Sequence, residues 1–218
     1  MKRLVDRSVD VASVLLLLSA LLVLFDESGY FGTRIAKWKQ DRHTIKVAKE
    51  QSGQIRNLAT SLGVTNGGRF VVEVGDYECP FCRMNQPTVD SALKSGVSVR
   101  FLHYPLQSHK FAVRAAMLTI CSEQARNSEK MHSLLINSVD WSVPPDWDEI
   151  ARAGGAPQSN ELEQCLVSTK TIERIRQSVE LVKSLGVHGT PTYIGPGGVV
   201  RGVASFAQLS EISESDVP

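Results

Sequence analysis

Cys79 and Cys82 are two residues apart in a chain of 218, and that spacing can do chemistry. Arg69-Phe70-Val71-Val72-Glu73-Val74-Gly75 precedes them and reads as a buried strand, because β-branched and aromatic residues dominate it. A helix after the pair puts Cys79 at its N-terminus. Unpaired backbone N–H groups and the helix dipole there favour a thiolate. A thiolate, rather than a thiol, attacks disulfides. Cys82 lies one turn on, where it can close a disulfide and release a bound partner. Half of a zinc site is an alternative, although no second Cys-x-x-Cys follows. A passive structural pair is another.

The elements that must position the pair can be read on both sides of it. Val97–Tyr104 is a second strand. A helical block follows, with Ser108 expected to cap a helix to about Arg126 and Ser128 one to about Asn137. Asp146 with Glu149 opens a third helix, and Ser159 a fourth that contains Cys165. Ile172, Ile175, Val179, Val182 and Leu185 repeat at helical spacing, and Gly186 suits the end of that helix. Short strands Thr192–Gly195 and Val199–Gly202 flank a Pro196-Gly197-Gly198 turn, and Phe206–Ile212 makes a last helix.

Composition supports an ordinary globular chain, with 42% hydrophobic residues and a net charge of +1 from 24 basic and 23 acidic side chains. That balance gives no global basic field for nucleic acid. The apolar excess is local: Val11–Phe25 has no charge, Lys2, Arg3 and Arg7 precede it, and Asp26 and Glu27 end it. A basic start and a short apolar run resemble a secretory signal. The small residues that a cleavage site requires are poorly placed, which favours an uncleaved anchor over a cleaved signal or a core helix. Fifteen helical residues cover roughly 22 Å against about 30 Å of hydrocarbon, so the span is short. Residues 34–62 are polar and basic and read as one or two helices.

The stretch Val72–Cys82 resembles the active-site region of DsbA-like thiol-disulfide oxidoreductases. Gly186-Val187-His188-Gly189-Thr190-Pro191-Thr192-Tyr193 resembles their second signature, whose proline is cis in thioredoxin folds. The 109 positions from Cys82 to Pro191 leave room for the helical insertion of that group. The resemblance covers roughly residues 66–212. It implies an α/β thioredoxin fold with an inserted α-helical domain, preceded by the membrane-anchor helix. The expected boundaries are 1–29 for the anchor, 30–65 for a helical juxtamembrane linker, 66–105 with 186–214 for the thioredoxin domain, and 106–185 for the insertion.

The resemblance also implies roles. Cys79 is the expected nucleophile and Cys82 the buried resolving thiol. Glu73, six residues before Cys79, is the expected buried acid that exchanges a proton with Cys82; a surface acid at a strand edge is the alternative. Thr190 and Pro191 would shape a substrate groove, with Pro80, Phe81 and His188 beside it. The strongest oxidants of the group carry histidine where this chain has Phe81, which implies a milder potential. Cys121 and Cys165 match a second cysteine pair seen in several DsbA-like proteins; free core thiols are the alternative. His43, His103, His109 and His132 are expected as surface or satisfied polar groups, and Trp38, Trp141 and Trp147 as packing residues.

The implied activity is disulfide exchange with protein thiols on the extracytoplasmic side of a cytoplasmic membrane. Neither a metal nor a cofactor is expected beyond the Cys79–Cys82 disulfide. Expected partners are protein thiols, a membrane redox partner that recycles the site, and the bilayer. A reductase for cytochrome maturation or peroxide defence, and a non-enzymatic thioredoxin-fold binding module, are the competing readings.

Overall fold

A computed structural model describes residues 11–24, 29–63, 68–157 and 159–214. The chain divides into two units, Met1–Arg42 and His43–Pro218. Helix α1 of the first unit, Val11–Leu24, is apolar along its length, with Leu15, Leu16 and Leu17 exposed. Its 14 residues rise about 21 Å. Among the described residues no helix is long and apolar enough to cross a membrane. The spanning anchor expected over 1–29 is therefore not found, and its ends, residues 1–10 and 25–28, lie outside the described residues. Trp38 is also not packed away: it is exposed, with the Arg42 guanidinium 4.8 Å above its ring.

The second unit is built on a five-stranded sheet in the order β1-β3-β2-β4-β5. The strands are β1 (Thr60–Leu62), β2 (Phe70–Gly75), β3 (Ser98–His103), β4 (Thr192–Gly195) and β5 (Gly198–Arg201). Among the described strands, only β2 and β3 pair in parallel. Side chains alternate between the faces of a strand. On β2, Val71 and Glu73 therefore face one layer, and Val72 and Val74 the other. The first layer is the main core, where Val71 meets Val89 and Ala92 of α4 (Pro80–Lys94) and Leu209 of α10 (Phe206–Ser213). The second is a smaller core of Val72, Val74, Leu102 and Ile194 under α3 (Ser52–Leu58) and α9 (Thr169–Ser184).

The linker boundary at 65 requires correction. From His43 onward the chain belongs to the second unit. Thr44 in α2 (Tyr30–Glu50) donates to the Leu185 carbonyl at 2.8 Å. Strand β1 pairs antiparallel with β3, so the sheet begins before residue 66. Arg174 of α9 fixes this segment by donating to the carbonyls of Leu58 at 3.1 Å and Ala59 at 3.3 Å. The same guanidinium pairs with Glu123 at 2.6 and 2.8 Å, and Glu123 accepts from Thr60 at 2.9 Å. A three-residue strand held by such distant contacts leaves almost no alternation to read.

The inserted helices are α5 (Ala112–Ser122), α6 (Ser128–Asn137), α7 (Trp147–Gly154) and α8 (Ser159–Leu166), continuing into α9. Asp146 caps α7 by accepting from Asp148 N and Glu149 N. Ser108 caps nothing, because α5 starts four residues later. Two distant acids hold residues 106–111 out of the helix: Asp76 accepts from Leu106 N and from His109 Nδ1, each at 2.8 Å, and Glu78 from Phe111 N at 2.5 Å. Cys121 on α5 and Cys165 on α8 form a disulfide with their Cα atoms 5.9 Å apart. Trp141, Trp147 and Phe111 pack with ring centroids 6.3 to 6.4 Å apart.

Candidate active site

Strand β2 ends at Gly75, where a β-carbon would collide with the Phe101 ring. The turn that follows is braced by Asp76, whose carboxylate also accepts from Glu78 N at 2.8 Å. It delivers Cys79 as the N-cap of α4, with Pro80 at the first helical position. Proline suits that position because its missing N–H would have no intrahelical acceptor there. Cys79 is 3% exposed and Cys82 wholly buried, and neither is bridged.

The two thiols are pushed apart. The Cys82 thiol donates to the Cys79 sulfur and lowers its pKa to about 5; Thr190 and the backbone N–H groups of Cys82 and Phe81 add to this, against the cost of burial. The same hydrogen bond, burial and the negative charge of Glu73 push Cys82 far up. At neutral pH the reduced pair is therefore a thiolate beside a thiol. The ultraviolet absorbance of the thiolate should titrate with a midpoint of about pH 5 and vanish in Cys79→Ser. A midpoint in the ordinary range of about 8.5 would contradict it.

Glu73 is a fully buried residue on a central strand, not a surface acid. Its neighbours across the sheet are Phe101 and Tyr193. The Tyr193 hydroxyl donates to Glu73 Oε1 at 3.3 Å, and Asn85 Nδ2 donates to that hydroxyl at 2.8 Å. Asn85 is held in turn by Ala204 N, which donates to its Oδ1 at 3.1 Å. Glu73 Oε2 has no partner among the described residues. Burial dominates and raises the Glu73 pKa to about 8, with Tyr193 pulling it down.

The second signature meets the first across the site. The Thr190–Pro191 peptide is cis, and Cys79 Sγ lies 3.4 Å from the Thr190 carbonyl oxygen. Cys79, Cys82, Glu73, Thr190 and Pro191 thus form one group. Pro80 and Phe81 sit exposed at the start of α4, and His188 is exposed and hydrogen-bonds neither cysteine. Phe81 and Met84, one turn apart, give this end of α4 an apolar surface.

Tyr193, Asn85 and Asp76, to which sequence reasoning assigned no role, also belong to the site, with His109, expected as a surface or satisfied polar group, paired to Asp76. Asn85 carried a signal: it lies three residues after Cys82, on the face of α4 that also buries Val89. His103 and His132 are buried and only half satisfied. His103 Nε2 is 3.0 Å from the Thr60 hydroxyl and His132 Nδ1 3.1 Å from the Tyr77 hydroxyl, while the other ring nitrogens have no partner among the described residues. Burial lowers the pKa of His103 far below its usual value and that of His132 to about 3. Among the described residues no group of three or more His, Cys, Asp or Glu side chains is placed to hold a metal ion.

A sheet flanked by helices, with a polarised dithiol at a helix N-terminus facing a cis-proline, defines a thioredoxin-fold protein with a dithiol site. Residues 57–214 match the family model described as thioredoxin, and the chain belongs to that family. A thioredoxin-like oxidoreductase from Silicibacter pomeroyi DSS-3 is similar at 26% identity and a TM-score of 0.64, over 72% of this chain and 91% of that one. The thiol-disulfide exchange protein alpha-DsbA2 from Wolbachia pipientis shares the fold at 20% identity and a TM-score of 0.66, over 76% of this chain and 91% of that one. A linker-deletion mutant of Proteus mirabilis ScsC shares it at 15% identity and 0.67, over 95% and 96%. Among curated proteins, the Na(+)/H(+) antiporter NhaA 3 of Salinispora tropica is 30% identical over 143 residues, which are 64% of this chain. The chain spans only 22% of that relative's length.

Proposed function

We propose that this chain is a membrane-tethered, extracytoplasmic oxidoreductase that exchanges disulfides with protein thiols through Cys79-Pro80-Phe81-Cys82. The observation that carries the reading is the polarised pair: a Cys79 thiolate stable to about pH 5, beside a buried Cys82 thiol. In the oxidising direction a substrate thiolate attacks Cys79 Sγ of the Cys79–Cys82 disulfide. That bond breaks, and Cys82 leaves and takes a proton from Glu73. A second substrate thiolate then attacks the substrate sulfur of the mixed disulfide, and Cys79 leaves as the thiolate. The substrate loses two electrons and the pair gains them. In the reducing direction Glu73 removes the Cys82 proton so that Cys82 can resolve the mixed disulfide. Thr190 and Pro191 border the attacking sulfur and line the approach of an extended substrate chain.

The Cys121–Cys165 bridge supports an oxidising compartment, since such bridges are rare in the cytosol. The exposed leucines of α1, after Lys2, Arg3 and Arg7 in the sequence, support attachment to a bilayer by a short anchor. A membrane redox partner would recycle the pair, and no cofactor beyond its disulfide is needed.

The test is insulin reduction and reduced-RNase oxidation by the purified protein. Cys79→Ser should abolish both, and Cys82→Ser should accumulate mixed disulfides with its substrates. An inactive wild-type protein would refute the enzyme and leave the binding-module reading. A thiolate pKa of about 5 also places the pair between thioredoxin and the strongest oxidants. Its reduction potential should accordingly fall between about −270 and −120 mV in a glutathione titration, and a value at the upper limit would refute the milder potential.

A further inference from the structure

The face of the sheet turned away from Glu73 carries a cleft of about 530 Å3, within the range of small-molecule sites. Strand register fixes its floor. Arg100, Val72 and Ile194 are paired across β3, β2 and β4, so their side chains share that face. Ser98 and Phe70 form the next pair towards the start of β2. Helix α3 supplies Ile55 and Arg56 to the walls, and the end of α2 supplies Ile45 and Lys49. Apart from Ser98 and Arg100 the floor is apolar, and Phe70 remains 40% exposed within it.

Among the described residues the charged side chains that line the cleft, Lys49, Arg56, Arg69 and Arg100, are all basic. Arg69 is tied to Ser210 at 2.6 Å and to Glu214 at 3.3 Å, yet its Nε is buried without a partner among the described residues. Arg100 donates to the Ser61 hydroxyl at 3.3 Å and has no ion-pair partner among the described residues; nor do Lys49 and Arg56. Burial, and then the positive charge of Arg56, lower the Arg100 pKa. Gathering cations around an apolar floor is unfavourable in the empty protein, and a bound anion relieves it. Phosphate alone would leave the partly exposed Phe70 and Ile45 wet, and a neutral alkane would leave the guanidinium groups unpaired.

We propose that this cleft binds a single-chain amphipathic carboxylate, with its hydrocarbon on the Phe70–Val72–Ile194 floor and its head group between Arg56 and Arg100. Arginine suits the head group because its planar fork can donate two parallel hydrogen bonds to a carboxylate. The site lies on the opposite face from the redox pair, so its occupancy is read by binding and does not depend on exchange activity.

Isothermal titration calorimetry of the full chain with decanoate, kept below micelle formation, tests this. One decanoate should bind per chain, about tenfold or more tighter than decyltrimethylammonium, which keeps the hydrocarbon and reverses the charge. Acetate should bind too weakly to measure. Arg56→Glu, at an exposed position on α3, should weaken decanoate binding about tenfold or more, while the Cys79 thiolate titration stays unchanged as evidence of folding. Arg100→Gln should weaken it as well. Equal binding of the cationic amphiphile, or an unchanged affinity in Arg56→Glu, would overturn the proposal. Phosphatidylglycerol vesicles distinguish the source of the chain: binding to vesicles that Arg56→Glu abolishes, without binding of free decanoate, would assign the cleft to a bilayer lipid and overturn the free carboxylate.

Discussion

Glu73→Gln should make the reduced protein more stable and a slower catalyst. Glu73 is wholly buried, and burial raises its pKa to about 8 from the 4.5 of an exposed carboxyl. Between those two pH values the folded chain holds a proton that the unfolded chain releases. Stability from this group is therefore complete below about pH 4.5 and is lost as pH rises towards 8. Glutamine keeps the shape and the acceptor for Tyr193 but does not ionise. Urea unfolding of reduced wild type and Glu73→Gln should agree near pH 4 and diverge with rising pH, with the variant more stable by about 3 kcal/mol near pH 7. Equal stability across the range would mean that Glu73 does not titrate in this window.

The same substitution removes the proposed proton acceptor for Cys82, so resolution of mixed disulfides should slow by about 100-fold or more, the usual scale of general acid–base catalysis. Tyr193→Phe separates the two effects. It deletes a hydroxyl that donates to Glu73 at 3.3 Å, so the Glu73 pKa should rise further while the carboxyl remains. Exchange by Tyr193→Phe should then shift its acid limb to higher pH and recover in alkali, whereas Glu73→Gln should not recover. Identical pH profiles for Tyr193→Phe and wild type would show that the tyrosine is only a packing residue.

The parts of this site that were legible in the sequence are those whose cause is local. Cys79 and Cys82 show their chemistry through a two-residue spacing, and β2 shows itself through a run of β-branched residues. Asp146 announces α7 because a cap acts within three residues. Failures occur where a distant group decides the local structure. Ser108 looks like a cap until Asp76 and Glu78, some thirty positions earlier, claim the backbone on either side of it. Strand β1 is invisible because three residues cannot show a period, and Arg174 and Glu123 hold it from the far side of the insertion. Glu73 could be suspected, but not the Tyr193–Asn85–Ala204 chain that sets its environment, because each of its hydrogen bonds joins residues more than a hundred positions apart. His103 and His132 were misjudged for the same reason: a histidine carries no sequence mark of burial.

Replacing Cys121 and Cys165 together by alanine should cost about 4 kcal/mol of stability without changing the redox chemistry. The bridge ties the end of α5 to α8 across a sequence separation of 44. The α6 and α7 hairpin lies inside that loop, so in the unfolded chain the bridge confines a segment that would otherwise be free. Loop-closure entropy for such a length gives the figure, and most of the effect lies in the unfolded state. Cys121 and Cys165 are both buried members of the main core, so deleting their sulfurs also leaves space there. Two measurements together identify the mechanism. The urea midpoint should fall, and the slope of unfolding free energy against urea should rise, because an unbridged chain exposes more surface when it unfolds. The Cys79 titration should remain at about pH 5, since Cys121 and Cys165 are not among the groups that set it. A midpoint unchanged within error would mean that the bridge does not stabilise the fold by confining the unfolded chain. A shifted Cys79 titration would mean instead that the insertion holds the active-site loop in place, through the Asp76 and Glu78 contacts to residues 106–111.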